Sequence, residues 1–265
     1  MLNTYQSSLV INSNIFAPMG KFAHDTIVPQ KDSSLSKKEQ VADMFNSIAF
    51  RYDFLNRFLS AGIDITWRKK AIKQLTSLEP QMVLDVATGT ADVALMTYDL
   101  LHPKKIIGID ISEGMLDLGR KKITARNLNN TIQLFTGDSE NIGFEADTFD
   151  AITVAFGVRN FQNLSKGLEE MRRVLKPCGK LVVLEFSKPK NVLFKGVYNI
   201  YMNNIAPGFG KMVAKNKDAY QYLNDSVQAF PEGESFLDIM KESGFNQTYL
   251  QKLTLGICTI YCGTK

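Results

Sequence analysis

The amino-acid sequence predicts an α/β fold built on one mostly parallel sheet. From Gln81 onward, short apolar runs that end at acidic or glycine positions alternate with helical segments, which is typical of successive βαβ units. Near the end of the chain, two β-rich runs are separated only by Gly256 and predict a hairpin. With 265 residues and 45% hydrophobic content, the chain is long enough to bury one large core. We therefore expect one main domain.

Seven strands are predicted, and their spacing leaves room for crossover helices or loops between the first five. These five parallel strands are expected at Met82–Val86, Lys105–Asp110, Ile132–Thr136, Phe149–Ala155 and residues 180–186. An insertion at about residues 188–232 then precedes a helix at residues 235–243, which ends at Gly244. The terminal hairpin is expected at residues 248–255 and 257–262, and it gives the sheet its antiparallel strand.

The chain before the sheet divides into two parts. Residues 1–35 lack a sustained apolar period, so we expect a flexible extension that the fold does not require. Residues 36–78 predict a lid of three helices, the first of which begins with a capping box at Ser36. A second short helix is predicted at residues 54–59, and Asp64 is placed to cap the beginning of the third.

Composition excludes several classes of protein. No run approaches the roughly 20 apolar residues that span a bilayer, and the first residues lack a secretory signal, so a cytoplasmic location is expected. Three cysteines without a CxxC pair argue against a disulfide framework. The two histidines, His24 and His102, lie in polar or turn-like surroundings and make a metal site unconvincing. A net charge of +4 is too small for the basic stripe of a nucleic-acid binder.

The loop after the first strand is where a doubly wound sheet binds its ligand. This loop lacks the GxGxxG pattern that brings a backbone close to a pyrophosphate, since Gly89 stands alone and Asp85 precedes the loop. A carboxylate there suits a cationic ligand, such as one that carries an ammonium and a sulfonium, better than a phosphate. The alternative, that Gly89 only makes a tight turn, has equal weight.

Two more acids follow successive strands. Asp110 ends the second strand twenty-one residues after Gly89, the interval at which a carboxylate meets the two ribose hydroxyls of a nucleoside. Asp138 and Ser139 follow the third strand, where they can accept from an adenine amino group. The alternatives are a cap for the helix that begins at Ser112 and an ordinary surface turn. Acids after three successive strands nevertheless predict a nucleoside site.

Longer motifs identify a family. The chain from about residue 37 to its end resembles the ubiquinone/menaquinone C-methyltransferases. The matching positions are residues 52–56, Leu59, Ser60, Asp64 and Trp67, then residues 156–160, 173–179 and 185–187, and finally Tyr220, Tyr222, Leu223, Ser226, Phe230 and Pro231. Departures stand at Asp64, where the family commonly has His, and at Ala91 and Cys178, where it commonly has Gly. A cofactor contact made by Ser in some members is not carried over to Ala155.

The resemblance implies a class I S-adenosylmethionine-dependent methyltransferase: a Rossmann-like, seven-stranded, mostly parallel sheet with a C-terminal antiparallel strand and an N-terminal helical lid. It implies that Thr90, Asp110, Asp138 and Ser139 bind S-adenosylmethionine, to which Asp85 and Gly89 are added from the loop. The implied reaction methylates a ring carbon of a polyprenylated demethylmenaquinol. A ubiquinone-precursor benzoquinol as substrate, and a non-catalytic methyltransferase-like scaffold, stay open as alternatives.

Three residues are candidates for the chemistry. Arg159 and Asn160 follow the fourth strand, where a guanidinium can stabilise a phenolate and an amide can orient the ring. Tyr52, at the lid junction, can face them. A salt bridge that fixes the loop is the alternative for Arg159, and a core position is the alternative for Tyr52. The general base is left open among Asp53, Asp64, Glu185 and a water held by Arg159.

The expected partner is a lipid quinol. Residues 192–229 interleave aromatic residues with lysines and can rest on an anionic membrane surface, although an ordinary packed insertion is the alternative. A second copy of the chain stays open as a partner. No nucleic acid is expected, because residues 155–158 do not form the Asn/Asp-Pro-Pro-aromatic motif of amino-methyltransferases that act on nucleic acids. The missing glycines and Asp85 argue against a dehydrogenase.

Overall fold

A computed structural model of the chain describes residues 22–60, 62–188 and 217–265. One mixed sheet lies at its centre. Its strands are β1 (Met82–Val86), β2 (Lys105–Asp110), β3 (Ile132–Thr136), β4 (Phe149–Ala155), β5 (Leu175–Phe186), β6 (Asn246–Leu253) and β7 (Cys258–Thr264). The strand order is β3-β2-β1-β4-β5-β7-β6, in which β7 runs antiparallel to both of its neighbours and the other pairs are parallel. The predicted fold class is confirmed.

Helices cover both faces of the sheet. They are α1 (Lys37–Leu59), α2 (Ile63–Ile72), α3 (Asp92–Leu101), α4 (Glu113–Ala125), α5 (Leu164–Val174), α6 (Lys217–Ala229) and α7 (Glu234–Glu242). Successive strand residues point to opposite faces, so Val83 and Ile106 pack under α2, α3 and α4, whereas Leu84 and Ile107 pack under α5 and α7. Because both faces are covered, the central strands β1, β2 and β4 read as nearly continuous apolar runs in the sequence, whereas the edge strands β3 and β6 are partly polar and exposed.

The first four predicted strands have the observed bounds, and the others differ at their ends. β5 begins at Leu175 rather than at residue 180, because Leu175 already pairs with Phe149 across an irregularity in the register. β6 ends at Leu253 rather than at residue 255. Thr254 and Leu255 have φ values of 43° and 57°, which strand geometry does not allow, and they form a short 3₁₀ turn.

The helices before the sheet differ from the prediction in two ways. The separate helix at residues 54–59 is wrong: α1 runs unbroken from Lys37 to Leu59, a stretch without Gly or Pro. Asp64 as N-cap is also wrong, because Gly62 takes that position in the left-handed conformation and α2 begins at Ile63. The capping box at Ser36 is confirmed by reciprocal hydrogen bonds with Glu39.

The helices of the predicted lid pack in two different places. Trp67, Ala71 and Leu75 of the α2 region are buried in the main core under the sheet. In contrast, α1 lies across the carboxyl edge of the sheet and contacts α4, with Val41 and Met44 in a smaller apolar cluster of their own. The part of the predicted lid that covers the edge is therefore α1.

Part of the predicted flexible extension is packed. Residues 1–21 lie outside the described residues, but Ala23–Thr26 forms a 3₁₀ turn. His24, predicted to have polar surroundings, is 0% exposed, stacks on Phe22 and meets the ring of Phe230 edge-on. Its carbonyl accepts a hydrogen bond of 2.6 Å from Lys37 Nζ. The expectation of a flexible extension is therefore wrong for this segment, because His24 is buried against Phe22 and Phe230.

No helix in these three described ranges is long and apolar enough to cross a membrane.

Burial of His24 predicts a dependence of stability on pH. Desolvation, and next the charge of Lys37, lower the pKa of His24 to about 3 from its ordinary value of 6.5. The unfolded chain therefore binds a proton that the folded chain refuses, and stability falls as pH falls below 6.5. Between pH 7.5 and pH 5 this histidine should lower the free energy of unfolding by about 2 kcal/mol.

His24→Phe keeps the ring contacts and removes the proton site. We expect denaturant titrations of this variant to lose about 2 kcal/mol of the difference in unfolding free energy between the two pH values. His102→Asn, at an exposed histidine, should leave the difference in place. An equal fall in stability for wild type and His24→Phe would contradict the assignment.

Candidate functional site

A cleft opens at the carboxyl edge of the sheet, beneath α1. The strand order reverses here, because β1 lies between β2 and β4. The lining residues are Lys38, Val41, Phe45, Tyr52, Val86, Ala87, Gly89, Ile109, Asp110, Ile111, Met115, Gly137, Asp138, Ser139, Glu140, Ala155, Phe156, Gly157, Asn160, Phe161 and Gln162.

The loop after β1 folds tightly over the cleft floor. Ala87, Gly89 and Ala91 have φ values of 53°, 55° and 65°, so three residues of this short loop occupy the left-handed region. Each non-glycine residue there stores of order 1 kcal/mol of strain. Ala91, where the family commonly has Gly, bears that strain at the position that precedes α3. In this conformation the backbone N–H of Gly89 points at Asp110.

Asp110 joins the loops after β1 and β2. One carboxylate oxygen accepts from Gly89 N at 2.8 Å and the other accepts from Ser112 N at 2.9 Å. Burial raises the pKa of Asp110, although these backbone donors oppose the rise. Ser112 itself caps α4, because its hydroxyl accepts from Met115 N. Asp110 therefore supports the helix start and lines the cleft as well, so its two interpretations are compatible.

Asp138 and Ser139 lie in the turn after β3, at the side of the cleft. Asp138 forms an ion pair with Lys38 of α1, and its other oxygen accepts from Glu140 N at 2.9 Å. Burial alone would lower the pKa of Lys38, but the neighbouring carboxylates of Asp138 and Glu140 outweigh it and raise that pKa. Glu140 in turn accepts from the backbone of Gln162 at 2.8 Å. This chain of contacts ties α1 to the cleft wall.

Asp85 and Thr90 are not among the lining residues. The buried carboxylate of Asp85 accepts from the hydroxyls of Thr88 at 2.6 Å and Thr153 at 2.7 Å. Burial raises its pKa to about 6 despite these donors. The hydroxyl of Thr90 donates to Asp53 of α1 at 2.6 Å and accepts from a lysine of α4. Both residues brace the loop from behind.

The three candidates for chemistry separate. Tyr52 and Asn160 line the cleft, and the ring of Tyr52 packs edge-on against Phe45. Arg159 is 4% exposed and does not line the cleft; its Nη1 donates to Glu185 at 2.7 Å and to the Phe156 carbonyl at 2.6 Å. The structure thus gives Arg159 the loop-fixing salt bridge that sequence reasoning treated as the alternative.

The side chains considered as general bases are all engaged elsewhere. Asp53 pairs with Lys122 and accepts from Thr90. Asp64 pairs with two arginines and accepts from Ser60. Glu185 is 0% exposed beside Arg159, and burial, as the largest influence, raises its pKa. None of these three carboxylates lines the cleft.

Sequence reasoning missed Lys38, Phe156 and Tyr222. Lys38 lies 100 residues from its partner Asp138, and no local pattern could pair them. Phe156 has a φ of 60° and stacks on Phe186 at 4.5 Å between ring centroids. Tyr222 reaches Asn160 from α6 with a hydrogen bond of 3.1 Å. For Phe156 and Tyr222, a signal was available in the sequence, because both lie in the motifs that match the family.

Among the residues that the structure describes, no group of three or more His, Cys, Asp or Glu side chains could hold a metal ion.

Comparisons with solved structures support the fold. A SAM dependent methyltransferase from Aquifex aeolicus aligns with a TM-score of 0.51 at 19% identity, over 69% of this chain and 81% of that chain. The [4+2]-cyclase SpnF aligns with a TM-score of 0.58 at 15% identity, over 86% of this chain and 96% of that chain. Identities this low show the fold alone, since one fold supports different chemistries.

Comparisons of sequence go further. A Bacteroides fragilis protein named demethylmenaquinone methyltransferase is 46% identical over 229 residues, which cover 86% of this chain and 94% of that protein. A Geobacter sulfurreducens protein named ubiquinone/menaquinone biosynthesis C-methyltransferase UbiE is 47% identical over 230 residues, which cover 86% of this chain and 90% of that protein. The profile of the ubiE/COQ5 methyltransferase family matches residues 33–265. The chain therefore belongs to the ubiE/COQ5 methyltransferase family.

Proposed function

We propose that this protein transfers a methyl group from S-adenosylmethionine to a ring carbon of a polyprenylated demethylmenaquinol, which gives menaquinol. The observation that carries the proposal is 46% identity, across 94% of its length, to a protein named for this reaction. The cleft at the switch point supplies the physical support, because its acids follow three successive strands.

The cleft fits S-adenosylmethionine, which supplies an electrophilic methyl group on a sulfonium. The backbone at Gly89 has open space in front of it, so a ligand can approach the loop closely. Asp110 already accepts one backbone N–H at each carboxylate oxygen, and each oxygen keeps a second lone pair for a ribose hydroxyl. Asp138 and Ser139 stand at the side where they can accept from an adenine amino group.

Asp85 and Thr90 act indirectly in this proposal. Asp85 fixes Thr88 and Thr90 fixes the loop to α1, so both hold the backbone that the cofactor meets. The charge of Asp85 favours a cation in the cleft at longer range. Their contribution to cofactor binding is through the shape and potential of the loop.

Tyr52 and Asn160 face the quinol ring in this proposal. A ring carbon becomes nucleophilic when the neighbouring hydroxyl loses its proton. That carbon would then bond to the methyl group as the methyl–sulfur bond breaks, S-adenosylhomocysteine would leave, and no covalent bond to the protein would form. Loss of the hydrogen from that carbon restores the aromatic quinol. Because Asp53, Asp64 and Glu185 do not line the cleft, we assign the protons to water that enters its open side.

Positioning of the ring against the methyl group supplies part of the rate enhancement in this proposal. Effective molarities for well-oriented groups are worth roughly 7 to 11 kcal/mol. Phe45 and Val41 of α1 and Phe156 and Phe161 after β4 give the cleft apolar walls that can hold the ring in one orientation. Arg159 contributes by holding the Phe156 carbonyl, and with it the loop that carries Asn160.

The lipid substrate places the protein at a membrane surface in this proposal. Of the segment predicted to rest there, residues 192–216 lie outside the described residues, and α6 covers the remainder. A peripheral site at the inner face of the membrane is consistent with a cleft that opens to solvent. A homodimer stays a proposal without a supporting contact.

A benzoquinol precursor of ubiquinone is the second candidate substrate. The observation in its favour is 47% identity to a protein named for both ubiquinone and menaquinone biosynthesis. The likeness to a cyclase shows that the fold alone does not establish methyl transfer. A non-catalytic scaffold therefore has to be tested by an activity assay.

The direct test offers both demethylated quinols to the purified protein in vesicles that contain anionic lipid. With S-adenosylmethionine labelled in its methyl group, we expect label on the naphthoquinol ring carbon, at least tenfold faster than on the benzoquinol, and sedimentation of the protein with the vesicles. Preferential labelling of the benzoquinol would favour the second candidate. The absence of label on either ring would contradict both.

Asp110→Ala should weaken binding of S-adenosylmethionine by at least tenfold, about 1.4 kcal/mol, because the proposed ribose diol loses its acceptor. Calorimetric titration measures this directly. Asp99→Ala, which removes an exposed carboxylate paired with Arg126, is the matched control and should leave affinity unchanged. The melting temperature of Asp110→Asn shows how much of the effect comes from loss of support for the loops rather than from loss of the ligand contact. Wild-type affinity in Asp110→Ala would sink the assignment.

Arg159→Lys should lower stability and turnover together. The variant keeps a positive charge beside Glu185 but loses the planar group that also donates to the Phe156 carbonyl. We expect a fall in melting temperature and about a tenfold or greater loss of turnover, with cofactor affinity little changed. Arg126→Lys, at an exposed pair, should change neither quantity. Turnover lost at an unchanged melting temperature would instead show direct contact with the reacting ring.

A further inference from the structure

The hydroxyl of Tyr222 meets the cleft wall from a helix outside the strand-end loops. Tyr222 belongs to α6 and is 3% exposed. Its ring packs with Val41 and Met44 of α1, and its hydroxyl donates to Asn160 Oδ1 at 3.1 Å. A single side chain therefore connects the insertion helix, the helix over the cleft and the loop after β4.

Two contacts agree on the orientation of the Asn160 amide. The carbonyl of Phe156 can only accept, so the amide atom that faces it at 3.4 Å is Nδ2. Oδ1 then faces Tyr222, whose hydroxyl must donate. Burial raises the pKa of Tyr222, and the Glu185 charge adds to this while Arg159 opposes it. The hydroxyl therefore keeps its proton throughout the neutral range and remains a donor.

The contact with Tyr222 is the stronger of the two. The Phe156 carbonyl already accepts from Arg159 Nη1 at 2.6 Å, and the 3.4 Å approach of Nδ2 to the same oxygen is weak. Without the Tyr222 hydroxyl, only this weak contact with the Phe156 carbonyl would hold the amide in its orientation. Nδ2 carries two hydrogens, of which the Phe156 carbonyl takes one, and Asn160 lines the cleft.

We propose that Tyr222 is a positioning residue for methyl transfer, whose hydroxyl fixes the Asn160 amide so that Nδ2 donates to the ring oxygen of the quinol. The inference rests on the proposed function. As the ring hydroxyl loses its proton, negative charge grows on that oxygen, and a preorganised N–H stabilises it. A rotated amide would present Oδ1 instead, and a carbonyl oxygen would oppose the charge.

The test is Tyr222→Phe, which removes one oxygen atom and keeps the ring. We expect kcat for quinol methylation to fall at least tenfold, with KM and S-adenosylmethionine affinity changed less than twofold. The limb of the kcat–pH profile that rises with pH should move to higher pH, because the bound quinol loses the donor that favours its ionised form. A purely structural role would not move that limb.

Two further variants separate positioning from packing. Tyr261→Phe is the matched control, since the Tyr261 hydroxyl is also buried but accepts from Gly233 N at 2.8 Å, away from the cleft. It should lower the melting temperature without moving the pH limb. Asn160→Ala removes the group through which Tyr222 acts, so adding Tyr222→Phe to it should cause less than a twofold further loss.

An unmoved pH limb in Tyr222→Phe would overturn the proposal, as would a loss that adds in full to that of Asn160→Ala. A fall in turnover that merely follows the melting temperature, as in the Tyr261→Phe control, would do the same. Failure of the proposed function has a different signature, because the wild-type protein would then label neither quinol, and the inference would fall with it.

Discussion

The hydrogen bond from the Gly89 backbone to the Asp110 carboxylate is the contact on which the cleft depends. It spans 2.8 Å between the loops that follow β1 and β2, at the point where the strand order reverses. The left-handed backbone at Gly89 turns the N–H toward the carboxylate, and Ser112 fixes the second carboxylate oxygen. Two loops and the beginning of α4 thus share one acceptor. Asp85 performs the matching task below, where it holds Thr88 and lies outside the lining of the cleft.

The helix over the cleft is held differently from the helices under the sheet. α1 is fixed near its ends and its middle by polar contacts: Lys38 with the turn after β3, Asn46 with the start of α4, and Asp53 with Thr90. Partly exposed pairs of this kind are each worth at most about 1 kcal/mol. α2 instead buries Trp67 in the main core. α1 is therefore held over the cleft largely by polar contacts, whereas α2 is held by burial in the main core.

The sheet could be predicted from the sequence because burial on both faces leaves apolar runs. The acids of the cleft could be predicted because the topology alone brings the strand ends together. Prediction from the sequence failed where backbone geometry or distant packing decides. Asp is a common residue type at helix N-caps, but Gly62 rather than Asp64 takes that position. His24 reads as part of a polar tail, but Phe230, far along the chain, completes its pocket. Arg159 and Asn160 are neighbours in one 3₁₀ turn, whose geometry sends one to Glu185 and the other to the cleft.

The burial of acids beneath the cleft favours a cationic ligand over an anionic one. Desolvation raises the pKa of Asp85 to about 6 from its ordinary value of 3.8. The negative charge of Asp110 adds to this rise. A folded-state pKa above the ordinary value means that the charged form is disfavoured at neutral pH, by about 3 kcal/mol for a shift of this size. Raised pKa at Asp110 has the same sign. A cationic ligand in the cleft lowers both pKa values and relieves this cost, whereas a pyrophosphate would increase it. The acids that weaken the unliganded fold therefore contribute to the selectivity of the site.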